Sequence, residues 1–119
     1  YLLCGKNESN VPNEIIDKIV KKNCSSLHNM TIKQLIPILT SCNMYVGNDS
    51  FGSHITSQSG IKSIVILLDS PRAYTDYSKN FCRIIPRGFD IDKITHGSNA
   101  DPNLVLVEDV IKNINRLKN

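Results

Sequence analysis

The feature that most limits what this chain can become is the run Ser63-Ile64-Val65-Ile66-Leu67-Leu68-Asp69. It is apolar throughout rather than on alternate residues, so it reads as a strand buried on both faces, and such strands belong to parallel sheets covered by helices. The surrounding sequence agrees, because short β-branched runs alternate with segments of helical periodicity. Residues 1–4 are expected as a first strand, 25–28 as a short second, Met44–Asn48 as a third and 82–85 as the last. Pro12 suits the first position of a helix whose Ile15, Ile16, Ile19 and Val20 share one apolar face and which is expected to end near Asn23. Thr31-Ile32-Lys33-Gln34 has capping-box spacing, and Ile32, Leu35, Ile36 and Leu39 continue it as one helical face. Pro37 falls inside that helix, so a kink or a lost backbone hydrogen bond is expected there. A helix over 51–59, closed by Gly60, should follow the third strand without a linker. The polar, tyrosine-bearing stretch 72–80 is expected as a loop or short helix. Beyond a loop at 88–103, Val107, Val110, Ile111, Ile114 and Leu117 mark a closing amphipathic helix. The expected class is therefore α/β, a parallel sheet with helices on both faces.

At 119 residues and 40% hydrophobic, the chain can bury one modest core, and 1–119 is expected to be a single domain. It opens on Tyr1-Leu2-Leu3-Cys4 with no Met, turn or cap before it, which leads us to expect a piece of a larger protein. The net charge of +3 is carried by scattered basic residues, too thin a pattern for a nucleic-acid footprint. Cys4, Cys24, Cys42 and Cys82 are widely spaced and form no CxxC or Cys/His cluster, so neither a metal nor a redox pair is expected. They read as small buried thiols of a reducing cytoplasm. The sequons at Asn7, Asn23, Asn29 and Asn48 would matter only in a secreted protein. No apolar run approaches the roughly 20 residues that span a bilayer, and no signal-peptide pattern is present.

In open α/β sheets ligands bind beyond the carboxyl ends of the strands, where strand-to-helix turns present free amides. Three turns qualify: Gly5-Lys6-Asn7-Glu8, the segment around Gly47-Asn48-Asp49-Ser50-Phe51-Gly52-Ser53-His54, and Asp69-Ser70-Pro71. The middle one is richest. Gly47 and Gly52 would let backbone approach a ligand, and the amides from Phe51 to His54 would be the unpaired donors of a new helix facing a phosphate. Ser50 adds a hydroxyl. A protonated His54 in the first helical turn is disfavoured by the helix dipole unless an anion stands before it, which a diphosphate would supply. Asp49 repels a diphosphate, so it must accept local amides or face a hydroxyl-rich part of the ligand such as a sugar. Read structurally instead, Asp49-Ser50 is a helix N-cap pair and His54 a satisfied core histidine.

The run Leu35-Ile36-Pro37-Ile38-Leu39-Thr40-Ser41-Cys42-Asn43-Met44-Tyr45-Val46-Gly47-Asn48-Asp49-Ser50, with His54 and Gly60-Ile61-Lys62-Ser63, resembles the C-terminal domain of the lipopolysaccharide heptosyltransferases, glycosyltransferase family 9. The resemblance implies a Rossmann-like domain, the C-terminal half of a GT-B enzyme. It implies a nucleoside-diphosphate sugar donor of ADP-heptose type and a lipopolysaccharide or related glycan acceptor held by an N-terminal domain outside this chain. Asp49 and Ser50 match the family's donor-contacting pair and His54 its histidine near the diphosphate. Asn48, Phe51 and Gly52 complete the implied donor site. Phe51 stands where the family has Gly and Gly52 where it has a larger residue, which reshapes the pocket. The stretch after His54 is also more polar than the family's. Lys6 and Glu8 are candidates for the nucleotide, Ser70 for the donor, and Arg72 for the phosphate. No catalytic residue, metal or cofactor is implied within this chain. The expected location is the cytoplasm, with room for peripheral association with a membrane.

Two rivals belong to other classes. Gly47-Asn48-Asp49-Ser50 has the flavour of an SGNH-like esterase, but the Asp92-Lys93-Ile94-Thr95-His96 run is one residue too long for that family's acid and histidine spacing. The other is a non-catalytic nucleotide-binding module whose turn is merely structural.

Overall fold

The computed structural model describes residues 1–5, 7–8, 10–19 and 23–118. It forms two compact units, Tyr1–Ile38 and Leu39–Asn119. The boundary falls inside helix α2 (Ile32–Thr40).

In the first unit, helix α1 (Asn10–Lys18) carries Pro12 in its first turn as its buried residue. The helix ends at Lys18 rather than near Asn23, and Val20, Lys21 and Lys22 lie outside the described residues. Its isoleucine stripe is not buried: Ile15 is 41% and Ile19 38% exposed. Periodicity says which residues share a face; burial depends on what that face meets. The two expected strands reduce to one parallel bridge between Leu2 and Ser26. Leu2 N–H donates to Ser25 O at 2.9 Å, and Leu27 N–H donates to Leu2 O at 2.8 Å. Asn29, at φ 60°, turns the chain just past this bridge, so pairing cannot extend into a ladder. Helix α2 starts where the capping signal places it, Thr31 N–H donating to Gln34 Oε1 at 2.9 Å. Leu35 and Leu39, four residues apart, are buried, whereas Ile32 is 58% exposed. The helix runs on through Pro37.

The second unit holds the sheet. Strands β1 (Met44–Asn48), β2 (Lys62–Ile66) and β3 (Phe81–Ile84) are all parallel, in spatial order β1-β2-β3. Helix α3 (Phe51–Gln58) links β1 to β2, and helix α4 (Val107–Lys118) closes the chain. Side-chain alternation fixes which helix lies on which face. Ser63 shares a row with Tyr45 and Phe81, and its hydroxyl bonds Thr56 of α3 at 2.8 Å. Cys82, paired with Ile64 on the alternate row, donates its thiol to Asn113 of α4 at 3.2 Å. The two helices therefore cover opposite faces, and Ser63, Ile64 and Val65 all reach 0% exposure. This accounts for the unbroken apolar run of β2. α4 packs against β2 and β3, which leaves Val46 of β1, on the same face, 42% exposed. Val107 and Ile111 of α4 are exposed as well.

α3 ends as its sequence dictates. Gly60 adopts φ 85°, Gly60 N–H donates to Ser57 O and Ile61 N–H to Thr56 O, the paired bonds of a Schellman cap. On the α3 face, Val65, Leu67, Phe81 and Ile94 form the core, joined by Ile85, Phe89 and Ile91. The connection between β3 and α4 is thus structural. It contributes Ile94 at 1% exposure and includes the 3-10 turns Ile91–Lys93 and Pro102–Leu104.

Thr56 Oγ1 also donates to Gly52 O at 2.8 Å, while Ser63 keeps an independent partner in Ile61 O. Thr56→Val keeps the shape and removes the buried hydroxyl. It should lower unfolding stability by about 1–2 kcal/mol, read as a reduced urea midpoint at unchanged slope.

Candidate functional site

The carboxyl end of β1 is shaped by a close contact inside the chain. Tyr45 and Gly47 lie on the same face of the strand, and a Cβ built on Gly47 would come within 2.7 Å of the Tyr45 hydroxyl. The Tyr45 ring thus crowds any side chain placed at 47. That hydroxyl reaches Ser50 Oγ at 3.1 Å. Ser50 is the N-cap of α3, with extended backbone, and its N–H donates to Ser53 Oγ at 3.2 Å. Burial pushes the Tyr45 phenol above the usual tyrosine range; the Ser50 bond offsets part of this and the Asp49 charge adds to it.

Beyond these strand ends lies a cleft of about 540 Å³, walled by Asn48, Asp49 and Ser50 after β1, by Ile66, Leu68 and Asp69 after β2, and by Asn99 and Ala100. The last wall is held by Ser98, whose hydroxyl donates to Leu68 O at 2.8 Å. Asn99 turns there at φ 51°. Asp49 has a side chain only 6% exposed. Its Oδ1 lies 2.9 Å from His54 Nε2, an ion-pair distance, but the approach departs from the ring N–H direction. Oδ1 is thus buried without a hydrogen-bond partner, and Asp49 stands in the wall of the cleft.

His54 is held at both ring nitrogens. Nδ1 lies 2.6 Å from the Tyr77 hydroxyl, and the two rings stack at 5.9 Å with a 23° tilt. Phe81 packs edge-on to both rings. The chain's own Asp49 thus already places a carboxylate beside this histidine. His54 N–H is not an unpaired donor, since it donates to Ser50 O at 3.3 Å. The unpaired amides of the helix start narrow to those of Phe51 and Gly52.

The structure thus brings Asn48, Asp49 and Ser50 together at the cleft and sets Phe51 and Gly52 in the first turn of α3, Phe51 half exposed and Gly52 buried. His54 stands behind Asp49. Ser70 follows Asp69 but is not a lining residue. Glu8 belongs to the Tyr1–Ile38 unit, where its carboxylate accepts the Gly5 amide at 3.0 Å, and Lys6 lies outside the described residues. Arg72 is taken up by Asp76 and Asp92, each at 3.3 Å. His96 pairs with Tyr74 at 3.0 Å and Ser50 with Tyr45, so neither forms the serine–histidine contact of an esterase. Sequence reasoning missed Asn99, Ala100 and Tyr77. The Gly97-Ser98-Asn99 turn signal was the trace of the first two, and nothing local marked the last. Among the described residues, no cluster of three or more His, Cys, Asp or Glu is arranged to hold a metal, and no helix is long and apolar enough to cross a membrane. Set against protein-family models, curated proteins and solved structures, the chain finds no match in any of the three.

Gly47→Ala should destabilise by about 1–3 kcal/mol through overpacking, and a Tyr45→Ala background should remove most of that cost in a double-mutant cycle. An ultraviolet titration should show one tyrosine ionising later than the rest, and Tyr45→Phe should abolish that late component. The stability held by the neutral Tyr45 phenol is complete below the ordinary tyrosine value of about 10 and is lost as the pH rises through the raised one.

Proposed function

We propose that the Leu39–Asn119 unit is the donor-binding half of a glycosyltransferase and holds a nucleoside-diphosphate sugar, of ADP-heptose type, in the cleft beyond β1 and β2. The observation that carries this reading is Asp49: a nearly buried carboxylate in the wall of a ligand-sized cleft, one of whose oxygens, Oδ1, has no hydrogen-bond partner. An acceptor so placed gains most from a hydroxyl donor brought by a ligand, because little water reaches it. The sugar of the donor supplies such hydroxyls. The Phe51 and Gly52 amides, with the positive end of α3 behind them, supply the complement for the diphosphate.

On this reading the unit is the Rossmann-like C-terminal half of a GT-B enzyme. A facing domain elsewhere in the protein presents a lipopolysaccharide or related glycan acceptor and the catalytic base. The helix-start amides and the Ser50 hydroxyl stabilise the departing nucleoside diphosphate. His54 acts on Asp49 rather than on the phosphates. The work is placed in the cytoplasm, beside a membrane that carries the acceptor.

One observation favours a second reading. The described residues that line the cleft include Asp49 and Asp69 but no Lys or Arg, a lining suited to a neutral polyhydroxyl ligand without phosphate.

Calorimetric titration of the intact protein with ADP-glucose, ADP and free glucose separates the two. The donor reading expects ADP-glucose to bind and Asp49→Asn to weaken it by about tenfold or more, which is about 1.4 kcal/mol, with the melting temperature nearly unchanged. Undiminished affinity in Asp49→Asn would sink the reading, and binding of glucose as tight as that of ADP-glucose would transfer the cleft to the second.

A further inference from the structure

We propose that Tyr77 is a positioning residue for the sugar-binding part of the cleft, acting through His54 on the Asp49 carboxylate. The ligand named here rests on the donor reading, whereas the chain of contacts is independent of it.

The three residues come from separate places in the fold. Asp49 follows β1, His54 lies in α3, and Tyr77 follows the 3-10 turn Arg72–Thr75 that leads from β2 to β3. They meet in line: Asp49 Oδ1 to His54 Nε2 at 2.9 Å, then His54 Nδ1 to Tyr77 Oη at 2.6 Å. An imidazole with a donor at one nitrogen has a fixed tautomer at the other. When the phenol O–H donates to Nδ1, the ring proton stays on Nε2 and faces Asp49. Stacking on Tyr77 and the edge of Phe81 hold the plane of the ring.

The consequence falls on Asp49. Its contact with His54 is close but poorly directed, so the carboxylate is held by the location of the ring rather than by a strong hydrogen bond of its own. A ring free to turn about its side-chain bonds would release Oδ1 and let the carboxylate rotate out of its place in the cleft wall. Tyr77 prevents that rotation from outside the cleft. The tyrosine is 51% exposed and is not a lining residue. Ser57 Oγ, 3.4 Å from the phenol oxygen, steadies it from α3.

The test is Tyr77→Phe in the intact protein, which removes one hydroxyl from a half-exposed side chain and keeps the ring that stacks on His54. Long-range nitrogen–proton spectra at fixed neutral pH report the imidazole nitrogens, with His54 identified by its loss in His54→Gln. The expected result is a shift of the His54 Nδ1 resonance in Tyr77→Phe while those of His28 and His96 stay put; His96, paired with Tyr74, is the internal control. Affinity for ADP-glucose should fall by about tenfold, the order of effect that a small misplacement of a site group produces, while affinity for ADP is unchanged. In an Asp49→Asn background Tyr77→Phe should add less than about twofold, since its effect runs through Asp49. An unmoved Nδ1 resonance, an equal loss for ADP and ADP-glucose, or full additivity with Asp49→Asn would each overturn the proposal. If the parent protein binds neither probe, it is the donor reading that fails, and the Nδ1 resonance alone then decides the role of Tyr77.

Discussion

Everything in the Leu39–Asn119 unit follows from the burial of β2 on both faces. A strand whose Ser63, Ile64 and Val65 are all shut off from solvent needs a neighbour strand on each side and a helix on each face. α3 and α4 supply the faces, and β1 and β3 the edges. Because the strands are parallel, the carboxyl ends of β1 and β2 open at the same end of the sheet. Each is followed by a turn, and a cleft there is a consequence of topology before any side chain is chosen. Three of the buried polar residues, Thr56, Ser57 and Ser63, sit where α3 meets the sheet and satisfy one another or nearby carbonyls. Small hydroxyl residues let this helix lie close to the strands that carry the cleft.

On that frame Asp49 is an expensive residue to have. Putting a carboxylate at 6% exposure costs several kcal/mol unless charge and hydrogen bonds compensate. Two sources of compensation are visible, the start of α3 and the ring of His54. Neither gives the carboxylate a full set of directed hydrogen bonds. A merely structural N-cap would face no such shortfall, because Ser50 already occupies the cap and Ser53 already accepts its amide. That residual demand for donors at Asp49 is what the donor reading draws on.

The sheet was largely legible in the sequence, and the site only in part. Met44–Asn48 was bounded correctly because Gly47-Asn48 and the following helix signals leave the strand nowhere else to end. The end of α3 was legible because a left-handed position calls for glycine at 60. The strands expected at 1–4 and 25–28 shrank to a bridge, since an apolar tetrapeptide carries no information about whether a partner stays in register beyond one pair. Asp49 and Ser50 were legible as candidates for the cleft wall because they follow a strand and precede a helix. Tyr77 was not, because its meaning lies in a distance of 2.6 Å to a residue 23 positions away. Gly47 was read as room for a ligand, and the demand that the Tyr45 ring makes on the same room was not legible, because only the placement of that ring shows it.

The electrostatics of the helix start also dictate how a ligand must lie. The positive end of α3 acts on two anions at once, the fixed Asp49 carboxylate and any phosphate brought in, and the field falls off within one turn. A diphosphate seated directly on Asp49 would meet a like charge in a dry environment, where repulsion is least screened. It would also face Asp69 across the cleft with no Lys or Arg among the lining residues to offset either. The arrangement that avoids this sets the hydroxyl-bearing end of the ligand against Asp49 and carries the phosphates past Ser50 to the amides of Phe51 and Gly52. On the donor reading one carboxylate sets the polarity of binding, and a residue that orients that carboxylate also governs which end of a ligand is accepted.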